Sequence, residues 1–293
     1  MNTAKPSNIV GPALFGRYLL TSEPESNNSA EAILSNDNDL ALELLDFVNA
    51  TEKSGFNYDK VVIRVSEAIA GRDFLVLLSL LHINSHLSVG CLQGGMSFLA
   101  SNLKSVLDVS NSGANTASIE QSIERLSNIE VTFSIQDSDN ADDSALNFNC
   151  GSIIEAFSNG KVNISSDEKK SSDCPRSRVW YVRFGDGLRR IINGTETSKY
   201  DWNELLLNRK SSLTIAAKAH LQTIYGAKVY SKRVSTLFRN INSPIDESVW
   251  RKCRHYRSRI SSQLKRLAKN ISNLTPPSPK GSIFLLPRLI IDF

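Results

Sequence analysis

Seven apolar residues near the end of the chain, Ile245, Val249, Cys253, Tyr256, Ile260, Leu264 and Leu267, recur at spacings of 4, 4, 3, 4, 4 and 3. That period lays them along one face of an α-helix, which must pack against the rest of a domain. Arg251, Lys252, Arg254, His255, Arg257, Arg259, Lys265, Arg266 and Lys269 all fall off the stripe. Ser243 is placed to cap this helix, Pro244 suits its first turn, and Asp246 and Glu247 sit at the positive end of its dipole. Little acid balances the cations: residues 228–269 hold 12 Lys and Arg against Asp246 and Glu247, a net +10 in 42 residues. A solvated helix face usually alternates its signs, and like charge at this density repels itself unless a polyanion neutralises it.

The whole chain carries only +4 because its front is acidic. Residues 1–170 hold 11 Lys and Arg against 22 Asp and Glu, whereas residues 171–293 hold 23 against 8, so a net −11 faces a net +15. Such asymmetry points the basic part at nucleic acid. With 41% hydrophobic and 22% charged residues, the 293-residue chain excludes fibrous and wholly disordered classes and has the length of about two domains. Cys91, Cys150, Cys174 and Cys253 form no CxxC pair, which leaves neither a disulfide framework nor a thiolate zinc site and fits a reducing cytoplasm. Neither a signal peptide nor an apolar run approaching 18 residues is found, so no membrane role is expected.

Element order carries the fold reading. Residues 1–57, rich in Ser, Asn, Asp and Glu, read as a mostly disordered polar arm with a short helical candidate at Leu40, Leu44, Leu45 and Val48. Arg72–Ile83 is apolar on nearly every side and long enough for a buried helix. A second, shorter helix is expected after the break at Gly94 and Gly95. A third is expected from Asn115, with Ser118 and Gln121 as its capping box and Ile119, Ile123, Leu126 and Ile129 as its stripe. Val131, Phe133 and Ile135 alternate with polar residues and predict a strand, and Arg178–Phe184 predicts another.

The order then repeats. Leu213, Ala216, Ala217, Leu221 and Ile224 mark a helix closed by Gly226, Ser231 caps a short second helix, and the basic helix is the third. A Pro-rich turn and a strand pair follow, with Pro287 at an edge. The sequence therefore predicts an α+β chain of tandem winged-helix domains, each of three helices and a small antiparallel wing sheet. The first spans 58–195, and the second, the DNA-binding domain, spans 196–293.

A helix of this width fits the major groove, where Arg bonds guanine O6 and N7 bidentately while neighbouring Lys and Arg bind phosphates. Arg251, Arg254 and Ser258 share one surface of the helix. The preceding helix, with Lys232, Arg233 and Arg239, would cross the backbone, and Lys280 at the wing tip would reach the next groove or its phosphates. The expected partner is double-stranded DNA.

The run from LTIAAKAHLQTIYG through KVYSKRVSTLFRNI to WRKCRHYRSRISSQLKRL resembles the C-terminal half of TrfA-type, iteron-binding winged-helix plasmid replication initiators. RDFLVLLSLLHI and SIERLSNIEVTF resemble the first winged helix of that family, and together the likeness covers roughly residues 60–275. It implies binding to direct repeats at an origin in a bacterial cytoplasm, duplex opening with a host replication initiator, helicase loading, and control by homodimers. It places the recognition positions on Arg251, Lys252, Arg254, His255, Arg257 and Ser258, and Arg259 beside them is a further DNA-binding candidate. In the first domain the likeness places them on Ser118, Gln121, Ser122 and Arg125. The polar insertion between Asp137 and Pro175 and the weakly charged first-domain helix depart from the family pattern.

Enzyme readings find little support. There is neither a GxxxxGK[ST] loop nor a GxGxxG loop, and Gly185-Asp186-Gly187 reads as a turn between strand and helix. His82 and His86 stand i,i+4 but lack a third ligand, Asp137, Asp139, Asp142 and Asp143 lie in a polar loop, and Tyr256 belongs to the apolar stripe. No metal, cofactor or catalytic residue is expected. A winged-helix transcriptional repressor would use the same helix without melting DNA, and a recombinase or nicking enzyme would need Tyr256 as nucleophile.

Overall fold

The structure, a computed structural model, describes residues 5–21, 29–51, 58–87, 92, 94–136, 146–162, 177–207, 209, 211–224 and 234–243, with 254, 255, 258 and 262. The apolar run at Arg72–Ile83 is α2 (Gly71–His86), and Phe74, Leu77, Leu78 and Leu80 in it are fully buried. A helix apolar on all sides needs neighbours all round. It finds them in β1 (Asn8–Pro12), α3 (Ala100–Val106), α4 (Gly113–Asn128) and α7 (Ser212–Thr223). Gly71 makes the last contact close: a methyl there would stand 2.6 Å from the Ser212 carbonyl oxygen.

The expected polar arm is partly a correction. Its described residues supply β1, a π-helical turn at Phe15–Leu19, β2 (Leu20–Thr21), β3 (Ala30–Leu34) and α1 (Asp39–Thr51). Ile9, Phe15, Leu19 and Leu20 are buried, as are the four residues of the helical candidate, Leu40, Leu44, Leu45 and Val48. The apolar run IVGPALFGRYLL buries itself even though a Ser- and Asn-rich stretch follows it.

Two larger sheets are antiparallel throughout. One runs β3, β4 (Lys60–Val65), β7 (Glu130–Gln136), β8 (Leu146–Ser152). In the other, β10 (Ser177–Phe184) lies between β6 (Met96–Leu99) and β9 (Ile154–Val162). Two short pairs complete the fold. β1 runs antiparallel to β11 (Thr197–Asp201), and β2 runs parallel to β5 (Ile69–Ala70). The chain is thus an α+β protein.

Several elements differ from expectation. Met96–Leu99, read as the start of a helix, is β6, because Met96 and Phe98 alternate inward against Val182 and Trp180 of β10. α4 begins six residues before Ser118: its cap is Ser112, whose Oγ accepts from the Asn115 backbone N–H at 3.2 Å. The polar insertion contains β8 and β9. The turn at Gly185 does lead from β10 into α5 (Asp186–Gly194). After β11 come α6 (Trp202–Leu206), α7 and α8 (Val234–Asn240).

The expected boundary at 195/196 separates no cores. One cluster of buried apolar residues extends from Ile9 to Ile241, and the β1–β11 pair and the α2–α7 contact both cross that boundary. Ser231, Pro244, Gly226, Pro287 and the stripe residues of the basic helix lie outside the described residues.

Candidate nucleic-acid interface

α4 is the first of the two helices expected to meet DNA. Its stripe is as predicted, with Ile119, Ile123 and Leu126 buried. The polar residues assigned to its outer face divide. Gln121 is exposed. Ser122, in contrast, is fully buried, and its hydroxyl donates to the Ser118 carbonyl at 3.2 Å. Arg125 turns toward α2, where its Nε and Nη2 donate to the two carboxylate oxygens of Asp73 at 2.8 and 2.7 Å, and Nη2 also reaches Ser122 Oγ. Arg125 therefore ties α4 to α2 while its side chain stays 37% exposed, and Ser122 is turned inward within α4.

The reason lies in α2. Asp73 sits in its first turn with a side chain only 3% exposed, and a carboxylate that deep requires a bidentate partner. Glu67 lies close by, and burial with the Asp73 charge pushes its carboxyl up, against the opposing pull of Arg125. On the other side of α4, Glu120 accepts from Asn159 at 3.1 Å and from Arg178 at 3.3 Å, linking the helix to β9 and β10. Burial and the adjacent Arg178 hold the Lys104 ammonium below its usual value. Cations beside α4 are thus largely matched by the protein's own acids.

The C-terminal elements are built differently. α7 is buried on nearly all sides: Lys218 donates to Glu204 Oε2 and to the Glu204 carbonyl, both at 3.0 Å, and His220 Nδ1 lies 3.0 Å from the Arg17 carbonyl. Gly16 brings the π-helical turn against α7, since a methyl there would stand 2.6 Å from Thr223 Cγ2. In α8, Leu237 and Phe238 are buried while Arg239 is exposed. Arg254, His255 and Ser258 are helical and exposed, with Ser258 one turn beyond Arg254. Arg251, Lys252, Arg257, Arg259, Lys232, Arg233 and Lys280 lie outside the described residues.

Two further groups were weighed for chemistry. The His82 and His86 rings stand 4.2 Å apart, and burial together with the His86 charge lowers the His82 imidazole. Among the described residues no group of three or more His, Cys, Asp or Glu side chains is arranged to hold a metal ion. Asp137, Asp139, Asp142, Asp143 and Tyr256 are outside those residues. No helix among the described residues is long and apolar enough to cross a membrane.

The sequence did not reveal the role of residues 15–21, which line α7 and the end of α8. The only available signal was the apolar run itself.

Among the described residues, an α+β fold with a helix whose arginine is matched by a buried carboxylate, and with Arg254 and His255 helical and exposed, is the class that these features define. No family model matches the chain, and no curated protein matches it. Among solved structures it is similar to a selenomethionine crystal structure of domains 2 and 3 of RctB, at 12% identity and a TM-score of 0.46, over 91% of this chain and 86% of that one. A second crystal structure of RctB domains 2 and 3 matches at 14% identity and a TM-score of 0.38, over 92% of this chain and 85% of that one.

Proposed function

We propose that the chain is a sequence-specific duplex-DNA-binding initiator of plasmid replication, acting in a bacterial cytoplasm without catalytic chemistry of its own. The observation that carries this reading is the net +10 over residues 228–269, to which the exposed Arg239 and Arg254 belong, with His255 exposed beside Arg254. Counterion release from DNA is the ordinary way such a charge is neutralised.

Element order supports it further. α2, β6, α3 and α4 are followed by β9 and β10, with β10 between β6 and β9 in the sheet. That is the order of a winged helix with the β7–β8 hairpin inserted before its wing. α7 and α8 then lead into the basic segment as the first helices of a second such unit. On this reading Arg254, His255 and Ser258 face base edges together with Arg251, Lys252 and Arg257, while Lys232, Arg233, Arg239 and Lys280 hold phosphates. The initiator binds direct repeats, opens the neighbouring duplex with a host replication initiator, loads the helicase and is controlled by homodimers.

Selection of bound duplexes from a random pool tests the proposal. Direct repeats about two helical turns apart are expected, and permanganate should then reveal unpaired thymines beside them when the host initiator is present. A lone palindrome with no melting would make the protein a dimeric repressor instead. Covalent tyrosyl-DNA or a nicked plasmid would make it an enzyme.

A further inference from the structure

Asn242 and Ser243 end the continuously described stretch that holds α8, and the contacts that hold them reach far back in the chain. α8 ends in a reciprocal pair of backbone bonds: Ser243 N–H donates to the Phe238 carbonyl at 2.9 Å, and Asn242 N–H donates to the Arg239 carbonyl at 3.1 Å. This is a Schellman ending, in which the residue in Asn242's place takes a left-handed backbone, here with φ 48°. Glycine is the usual occupant because it adopts that conformation without strain. Asn tolerates it too, and brings an amide that glycine lacks.

Both hydrogens of that amide nitrogen are used. Asn242 Nδ2 donates to the carbonyl of Leu20 at 3.0 Å and to the carbonyl of Tyr18, more than 220 positions earlier in the chain. Thr21 Oγ1 donates to the Asn242 carbonyl at 3.4 Å and lies at the same distance from Ser243 Oγ. The acceptors are themselves anchored. Arg17 Nη2 donates to the Thr223 carbonyl at 3.2 Å, and His220 Nδ1 meets the Arg17 carbonyl, so residues 17–21 are fixed to α7 before they receive the end of α8.

We propose that Asn242 is a positioning residue: by locking the end of α8 onto the backbone of residues 18–21, it fixes the point from which the chain runs on to Arg254 and His255, and hence the register of those two side chains on DNA bases. The inference rests on the DNA-binding reading above. Displacing Arg254 and His255 leaves the charge of the chain unchanged, so its attraction to phosphates survives, whereas hydrogen bonds to base edges demand placement within a fraction of an ångström. Asn242 therefore governs discrimination rather than total affinity.

The test uses the full chain, a duplex selected by the wild-type protein and a scrambled duplex, with affinities measured by fluorescence anisotropy across a salt series. Asn242→Gly keeps the left-handed backbone and removes only the amide. Its preference for the selected duplex, typically about 10³-fold or more for a specific binder, should fall about tenfold. Scrambled-duplex affinity should hold, with a salt slope changed by less than about one unit. Asn242→Asp, which sets a carboxylate against two carbonyl oxygens, should lose at least as much. Unchanged preference in Asn242→Gly overturns the inference, as does an equal loss on both duplexes. Wild-type protein that prefers no duplex overturns the DNA-binding reading and takes this inference with it. If neither variant folds, Thr21→Val is read by the same ratio: a drop of about two- to threefold is expected from one lost hydroxyl, and no drop overturns the proposal.

Discussion

The chain up to residue 209 and the stretch 228–269 differ in how their cations are matched by acids. Among the described residues up to 209, Arg17, Arg64, Arg125, Arg178, Arg183, Arg189, Arg190 and Arg209 each face a carboxylate within 4.0 Å. Some of these pairs are weak surface contacts, but Arg125 with Asp73 joins two helices at the centre of the fold. Across residues 228–269 the sequence supplies two acids for 12 cations, so most of that charge has no acidic counterpart within the segment. Cations matched by acids build the scaffold, and on the proposed function the cations in excess meet a polyanion.

The contrast can be broken most decisively by salt. If the excess charge meets roughly 6 to 10 phosphates, duplex affinity should fall about 10³- to 10⁵-fold between 50 and 200 mM salt. A flat titration would remove the back half of the comparison. Next come two substitutions with opposite signatures. Arg125→Met strands the buried Asp73 carboxylate and should cost about 2–3 kcal/mol of unfolding free energy in a urea titration, less than a wholly buried pair because the guanidinium is 37% exposed. Duplex affinity of the folded protein should stay unchanged. Arg254→Ala should leave urea stability untouched and weaken cognate binding by about 1–3 kcal/mol. An equal loss on random DNA would make Arg254 a phosphate contact.

A smaller effect sharpens the front. Gly71→Ala pushes a methyl to 2.6 Å from the Ser212 carbonyl and should destabilise by about 1–3 kcal/mol, which thermal unfolding would register. The smallest concerns pH. Glu67 binds its proton more tightly folded than unfolded, so its contribution favours folding at acid pH and is lost as pH rises through the raised value. Glu67→Gln should therefore raise stability by a few tenths of a kcal/mol at neutral pH and change nothing at the acid end.

How much could be read in advance depended on how local the cause was. α2, β7, β10 and α7 were legible because apolar periodicity within 7 to 16 residues is enough to define each of them. β6 was misread because four residues are too few to separate period 2 from period 3.6. Ser118 looked like a cap because it stands three before Gln121, yet Ser112 has the same chemistry and the free turn before it. Residues 8–21 were missed because their partners lie far away, Tyr200 opposite Ile9 and Asn242 against Leu20. In the candidate interface the cationic excess was plain from composition. Arg125's inward turn was foreshadowed only by an aspartate inside an otherwise greasy helix.

The pairing of β1 with β11 bears on how the molecule is made. Asn8 meets Asp201 and Pro12 meets Thr197, so β1 leaves the ribosome nearly 190 residues ahead of its mate. At about 5–20 residues per second that is a delay of roughly 10 to 40 s. During it, Ile9, Phe15, Leu19 and Leu20 have no finished core to enter. Chaperone occupancy on nascent chains should accordingly concentrate on this opening stretch and lapse once the second strand of the ribbon has emerged.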